Sequence, residues 1–291
     1  MSPGFIDEIK YMISSNLPTS SGIIGEIIKT ISDSSSNASD LTEVIERDPP
    51  LAAKILQVSN SAYYAASSTI NTLQRAVVIL GFDTIKEIAI TASVVHHLFD
   101  QDLVSDVDRL GLWIHSVGTA KASQLIAEEI RTEESDKAYT VGLLHDIGKI
   151  LLVLSFPERY STIIHLAERK HCRILLAERK VLNIDHTMIG KILCDIWNLP
   201  DDISTAILYH HDPMEITKGS QILARIINLG DYMCRKAQIG NPGDTILIKP
   251  SNTTIAILGT TPKKIENTFN KIFIKLVDMK EEIESFYVSL E

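Results

Sequence analysis

Cysteine is scarce: Cys172, Cys194 and Cys234 are the only three in 291 residues, and none forms a Cys-x-x-Cys pair. That argues against a disulfide framework and a cysteine-built metal site, and leaves all three as small apolar residues for a core. Basic residues are scattered and outnumbered, 28 Lys and Arg against 37 Asp and Glu. No basic stripe exists to grip phosphates along a polymer, so no nucleic-acid partner is expected. The net charge of −9 favours solubility without excluding an anionic substrate, because a bound metal can supply positive charge locally. No run of about 18 apolar residues occurs, so neither a transmembrane helix nor a membrane partner is expected. No basic, Leu-rich leader opens the chain, so no signal peptide is expected, and a cytoplasmic location fits these absences. Period-two alternation is rare as well, which argues against a large sheet.

What the chain has in quantity is helical periodicity. Its hydrophobic fraction of 45% is ample for a core, and its length suits one large helical domain or two intimate ones. Ile23, Ile24, Ile27, Ile28 and Ile31 recur at three- and four-residue steps. After a polar run, Asp40 and Glu43 suit a capping box for a helix over 41–47. Asp48-Pro49-Pro50 then opens another helix, since proline's missing N–H costs nothing in a first turn, and Asn60-Ser61 closes it as a cap. Apolar helices are expected over 73–80 and 82–99. More polar composition at 103–110 marks a candidate boundary, dividing an N-terminal helical part, 1–105, from a helical core with a C-terminal helix, 106–291.

In the second part, helices are expected over 112–130, 137–153, 159–168, 175–181, 187–197, 200–210 and 221–237. A loop with Gly240, Pro242 and Gly243 then leads to a short apolar piece, 245–248. The last helix begins at Pro262 and carries Ile265, Phe269, Ile272, Leu276, Met279, Ile283 and Phe286 in a heptad-like seam. That seam suits packing on the body of the protein or a dimer contact. The fold class expected is all-α.

Chemistry concentrates in Leu143-Leu144-His145-Asp146-Ile147-Gly148-Lys149. Adjacent helical residues point about 100° apart, so His145 and Asp146 can embrace ions lying between their directions. Histidine supplies a neutral nitrogen and aspartate a hard, bridging oxygen. Matching side chains recur along the chain. His115 shares a helix with the small residues Gly118, Thr119 and Ala122; His186 follows Asp185, a good N-cap; His210 and His211 end a helix. Asp231 sits inside an apolar helix, where a carboxylate is costly unless paired or metal-bound. His96 and His97 match nothing in this set, His165 and His171 suit the surface, and Asp212 suits either a supporting contact or open solvent. Lys149 suits either a phosphate-facing charge or a solvated last-turn lysine.

The order His…His-Asp…His…His-His…Asp resembles the HD superfamily of metal-dependent phosphohydrolases, over about 112–234, and most of all its binuclear members. The basic set of that family falls on His115, His145, Asp146 and Asp231, the extra histidines on His186, His210 and His211, and the lysine of a His-Asp-x-Gly-Lys motif on Lys149. A second resemblance covers about 17–209. Ile45-Glu46-Arg47-Asp48-Pro49-Pro50-Leu51-Ala52, Asn60-Ser61-Ala62-Tyr63-Tyr64 and Leu80-Gly81-Phe82 are similar to the signature of HDOD domains, bacterial regulatory modules of which many lack the ligands kept here.

These resemblances imply an HD-type helical bundle with two divalent ions. Asp146 would bridge them, with His115, His145 and Asp231 on the first and His186, His210 and His211 on the second. Iron or manganese suits such donors best, with nickel or magnesium as alternatives. Asp146 and Lys149 are the implied catalytic residues, and the implied activity is hydrolysis of a phosphoester or nucleotide. The alternative is an inactive regulatory module that uses the metal structurally and binds a protein signalling partner. His210-His211-Asp212-Pro213-Met214 lacks the Gly-Tyr-Pro motif of the HD-GYP branch, so cyclic di-GMP is not implied. Gly111 stands where some members carry an extra glutamate, which argues against a third ion.

Overall fold

The structure, a computed structural model, describes residues 21–288 apart from 34, 62–63, 65–68, 99–106, 133, 220 and 245. It is 75% helical, and no strand occurs among the described residues. The expected all-α class is therefore observed. The boundary expected near 105, the Ala62-Tyr63 part of the N-terminal signature and the side chains of His96, His97 and Phe286 lie outside what is described.

Among the described residues, five helices come first: α1 (Ser21–Ser32), α2 (Ala38–Glu46), α3 (Pro49–Ser59), α4 (Leu73–Leu80) and α5 (Phe82–Leu98). The isoleucine stripe of α1 buries Ile24, Ile27, Ile28 and Ile31. The capping box of α2 lies three residues upstream of the expected one. Asn37 accepts from the Ser39 and Asp40 backbones, and Asp40 accepts from the Asn37 N–H. Asn37 wins because Asp40 already stands at the third helical position, where a carboxylate can reach back. Pro49 and Pro50 stand in the first turn of α3 as expected, and Asp48 caps it, accepting from Leu51 N–H at 3.0 Å. Asn60 caps its far end and binds both the N–H and the carbonyl of Ile70, fixing the return of the chain into α4.

The rest of the chain builds on α6 (Arg109–Ile130), the central helix. It packs against α7 (Ser135–Leu144) and α13 (Ile222–Lys236). The small residues on its flank permit this. A Cβ at Gly118 would lie 2.7 Å from Cys234 Sγ of α13, and one at Gly142 would lie 2.7 Å from Ala120 Cα. Between α7 and α13 come α8 (Ile147–Ser155), α9 (Pro157–Lys170), α10 (Ile174–Leu182), α11 (His186–Ile196) and α12 (Asp201–Leu208).

After α13, the short helix α14 (Asn252–Ile255) and a 3-10 turn (Ala256–Leu258) precede α15 (Pro262–Asp278) and α16 (Lys280–Val288). The C-terminal seam breaks at Met279 and packs on α6, burying Ile272, Leu276 and Ile283. The seam thus serves the body of the protein. One apolar core runs through both parts of the chain, and Thr91 of α5 meets the Tyr139 hydroxyl of α7 at 3.1 Å. Cys194 and Cys234 are buried in it, and Cys172 is half-buried.

One stretch among the described residues, Lys137–Ser155, is long and apolar enough to cross a membrane, and 89% of its apolar window is buried inside the protein. Thr140, His145, Asp146 and Lys149 interrupt its apolarity, which is why an unbroken-run criterion passes it by. Its burial comes from packing within the core.

Candidate metal centre

The expected continuous helix over 137–153 is two helices. α7 stops at Leu144, His145 and Asp146 form the turn, and α8 starts at Ile147. Asp146 stands at the head of α8 without bonding its backbone, so its carboxylate is free to face inward. Gly148 lets α8 approach α11 closely. A Cβ there would collide with the carbonyl of His186, so only glycine lets the start of α8 press on the start of α11.

Around this turn the structure brings together every expected site residue. His115 (α6), His145, Asp146, Lys149 (α8), His186 (α11), His210 and Asp231 (α13) are all buried, and His211 is half-buried. From Asp146 Oδ1, His186 Nε2 is 3.4 Å away and His210 Nε2 3.9 Å. From Asp146 Oδ2, His145 Nε2 is 3.3 Å away, His115 Nε2 3.9 Å and Lys149 Nζ 2.7 Å. Asp231 Oδ1 lies 3.1 Å from His115 Nε2. Two triads, His115–His145–Asp146 and His186–His210–His211, each hold their donor atoms within 4.8 Å of one another.

The tautomers follow from the acceptors outside this basin. His145 Nδ1 lies 2.7 Å from the Gly142 carbonyl and His210 Nδ1 2.7 Å from the Ile207 carbonyl. A carbonyl only accepts, so both imidazoles carry their proton on Nδ1 and turn a lone pair on Nε2 inward. Glu178 does the same for His186, accepting from Nδ1 at 2.6 Å and from the backbone N–H at 2.9 Å. His186 Nε2 then faces His211 Nε2 at 3.0 Å, a distance at which a proton or a cation must separate the two nitrogens. Three buried inward atoms, His145 Nε2, His210 Nε2 and Asp146 Oδ1, have no hydrogen-bond partner. Unsatisfied buried polar atoms cost free energy, and a divalent ion is the ligand that this set of nitrogens and oxygens fits.

Electrostatics prepare the donors. Burial, aided by the neighbouring His145, pushes the His210 imidazole down to about 3, and burial with His210 and His186 holds His211 well below its ordinary value. Burial likewise lowers His115, against the pull of Asp231. These rings are thus neutral near pH 7, the form that binds metal. His145 is the exception: burial disfavours its charge, but Asp146 beside it more than offsets this and raises it. Burial would raise both carboxyls, yet His145 and Lys149 hold Asp146 far below the usual range, and the His115 hydrogen bond does the same for Asp231.

Several placements differ from expectation. Lys149 is not a solvated last-turn residue. It lies buried in the first turn of α8, bonded to Asp146 Oδ2 and, at 3.1 Å, to the Pro242 carbonyl. α12 ends at Leu208, so His210 and His211 follow the helix instead of ending it. The His210 ring takes the Ile207 carbonyl that a further turn would use, and Pro213 lies just beyond. Asp212 is exposed, as are His165 and His171. At Gly111 a Cβ would collide with the Asp108 carboxylate, so the structure has no room there for a further ligand side chain.

Sequence reasoning missed Glu178, which is fully buried and orients His186. It missed Arg235 too, which lies 3.9 Å from Asp231 Oδ2 and binds the carbonyls of Asp244 and Ile246 at 3.2 and 2.5 Å. No spacing rule marks a glutamate within Ala-Glu-Arg-Lys. The arginine, one turn after Asp231, carried an i,i+4 signal that could have been read.

Comparison with known proteins finds a match between residues 17–213 and the HDOD domain model. A curated but uncharacterised protein of Treponema pallidum (strain Nichols) is 23% identical over 197 residues, covering 64% of this chain. This chain spans 36% of that protein's length. Among solved structures, an HDOD domain protein of unknown function from Geobacter sulfurreducens aligns with a TM-score of 0.77 and 24% identity, covering 98% of each chain. A provisionally assigned phosphohydrolase from Shewanella amazonensis SB2B aligns at 0.71 and 22%, covering 99% of this chain and 98% of its own. A provisionally assigned signal transduction protein from Marinobacter aquaeolei VT8 aligns at 0.79 and 22%, over 98% of this chain and 65% of its own. At these identities the likeness speaks for the fold.

Proposed function

This chain belongs to the HDOD domain family, and we propose that its histidine–aspartate basin is a binuclear divalent-metal centre that hydrolyses a phosphoester. The observation that carries this reading is the inward set of partnerless atoms, His145 Nε2, His210 Nε2 and Asp146 Oδ1, at the meeting of two donor triads. Asp146 offers one oxygen to each triad. His115, His145 and Asp231 would hold one ion, and His186, His210 and His211 the other. Iron or manganese fits the imidazole-rich donors best, with nickel or magnesium as alternatives. Such a pair supplies a water acidified to near-neutral pKa and a Lewis-acidic clamp on phosphate oxygens.

The chain's own residues have separate tasks. Lys149 keeps Asp146 ionised and fixes one of its oxygens, and its third N–H remains to meet an anion. Glu178, through the Nδ1 proton of His186, fixes that ring's orientation and makes it a better donor. The missing Gly-Tyr-Pro motif leaves no reason to name cyclic di-GMP.

A regulatory reading also has an observation in its favour. α5 packs on α7 and α8, the two helices that flank the His145–Asp146 turn, so metal binding and the N-terminal helices share a core through which a protein partner's signal would pass.

Protein purified without chelators is expected to carry up to two ions per chain by elemental analysis. It is further expected to hydrolyse at least one member of a phosphoester and nucleotide panel with Mn, Fe, Ni or Mg, while Asp146→Ala is inert. Protein that stays metal-free and cannot be reloaded rules out the metal centre. Metal-loaded protein inert to the whole panel selects the regulatory module instead.

A further inference from the structure

Beside the basin lies a cleft of about 390 Å³, within the size range of small-molecule sites. His211 and Asp231 line it, and so do residues from the segment after α13. That segment is held from several sides. Lys149 binds the Pro242 carbonyl, Arg235 binds the carbonyls of Asp244 and Ile246, the Asp244 carboxylate takes the Ile174 N–H at 3.4 Å, and Ser251 caps α14. The short apolar piece near residue 248 is therefore fixed as a wall of the cleft.

The lining has two characters. Met214 and Ile248 line it with large apolar side chains that are 47% and 49% exposed, a setting for the carbon body of a small ligand. Arg173 and Lys249 line it too, and neither forms an ion pair or side-chain hydrogen bond with another described residue. Arg235, by contrast, is committed to the wall. Asp212 and Glu215, near Met214 in sequence, are exposed acids, so an anionic group in the cleft is repelled from them and drawn to Arg173 and Lys249.

We propose that this cleft is the substrate pocket of the centre and that Arg173 and Lys249 select a small phosphoester carrying a second anionic group. The inference rests on the phosphohydrolase reading for the phosphoryl group, which would sit at the His211–Asp231 end. The carbon body lies against Met214 and Ile248, and the second anion meets the two cations. Two charge pairs at a partly exposed site correspond to a preference of about tenfold.

Phenylphosphonate and 4-carboxyphenylphosphonate provide the test, because their P–C bond resists phosphoester hydrolysis and they differ only in a distal carboxylate. Calorimetric titration is run on the full chain, with metal content measured on the same samples. The wild type is expected to bind the carboxylated probe about tenfold more tightly. In the double variant Arg173→Ala, Lys249→Ala that ratio should fall to one, and the charge-keeping pair Arg173→Lys, Lys249→Arg should retain it. A wild-type ratio of one, a ratio that survives in the alanine variant, or binding of neither probe overturns the pocket assignment. If the protein carries no metal yet keeps the ratio and its dependence on both cations, the anion site stands and the metal centre falls. In a metal-loaded protein without the ratio, the metal centre stands and the anion site falls.

Discussion

Asp146 occupies the one position in the basin that reaches both donor triads, whereas His211 belongs to one and is half-buried. Asp146→Ala is therefore expected to remove bound metal completely, and His211→Ala to leave one ion per chain with weakened affinity for the second. Equilibrium dialysis with elemental analysis reads this directly, and equal metal content in the two variants would show that Asp146 is not shared. The grouping of these residues was legible because their order along the chain resembles the HD superfamily pattern, and the fold does bring them together. Glu178 was not. A glutamate on an amphipathic helix reads as solvated until the fold puts His186 against it, and that contact is tertiary. One of the two readings of Lys149 fails for a related reason: the sequence does not reveal the break after Leu144, which moves it from a last turn to a first.

At the level of elements, the approach of α8 to α11 joins the His145–Asp146 turn to His186, and Gly148 permits it. Gly148→Ala places a methyl group against a backbone carbonyl that no side-chain rotation relieves. A loss of about 2–3 kcal/mol is expected, the scale of overpacking in a closed core, together with weaker metal retention. Denaturant titration of wild type and variant in metal-free buffer checks the first, and unchanged stability would mean that the two helix starts are not in contact. Apart from the break after Leu144, helices of the second part could be read from periodicity to within a few residues, since α11 and α13 carry strong apolar faces. Boundaries failed where side chains compete for the backbone, at Asn37 before α2 and at His210 after α12, because such bonds are chosen by local geometry that periodicity does not record.

For the molecule as a whole, the basin stores a penalty that protons can release. His210 is pushed down to about 3 by burial and by His145, and burial also lowers His211 and His115. In the unfolded chain a histidine titrates near 6.5. Between those values the unfolded state binds protons that the folded state refuses, so stability rises with pH and is lost as pH falls from about 6.5 towards 3. The raised His145 opposes this only above about 6.5, and the lowered Asp146 and Asp231 add to the loss only below about 4. Chelator-treated protein should accordingly unfold at lower urea concentration at pH 5 than at pH 7.5. A midpoint that holds steady or rises over that interval would contradict the burial of neutral imidazoles.

The contact of His115 with Cys234 joins residues 119 positions apart, and its partner Asp231 comes from the same distant helix. The candidate donors arrive on three helices and on the turns that follow α7 and α12, so no short stretch of the nascent chain holds more than a fragment of the basin. Closing so long a loop costs entropy that early local contacts do not repay. An ion cannot therefore template this fold from the start, as it does in small metal-nucleated domains. An ion held as proposed would enter a basin that the helices have already assembled.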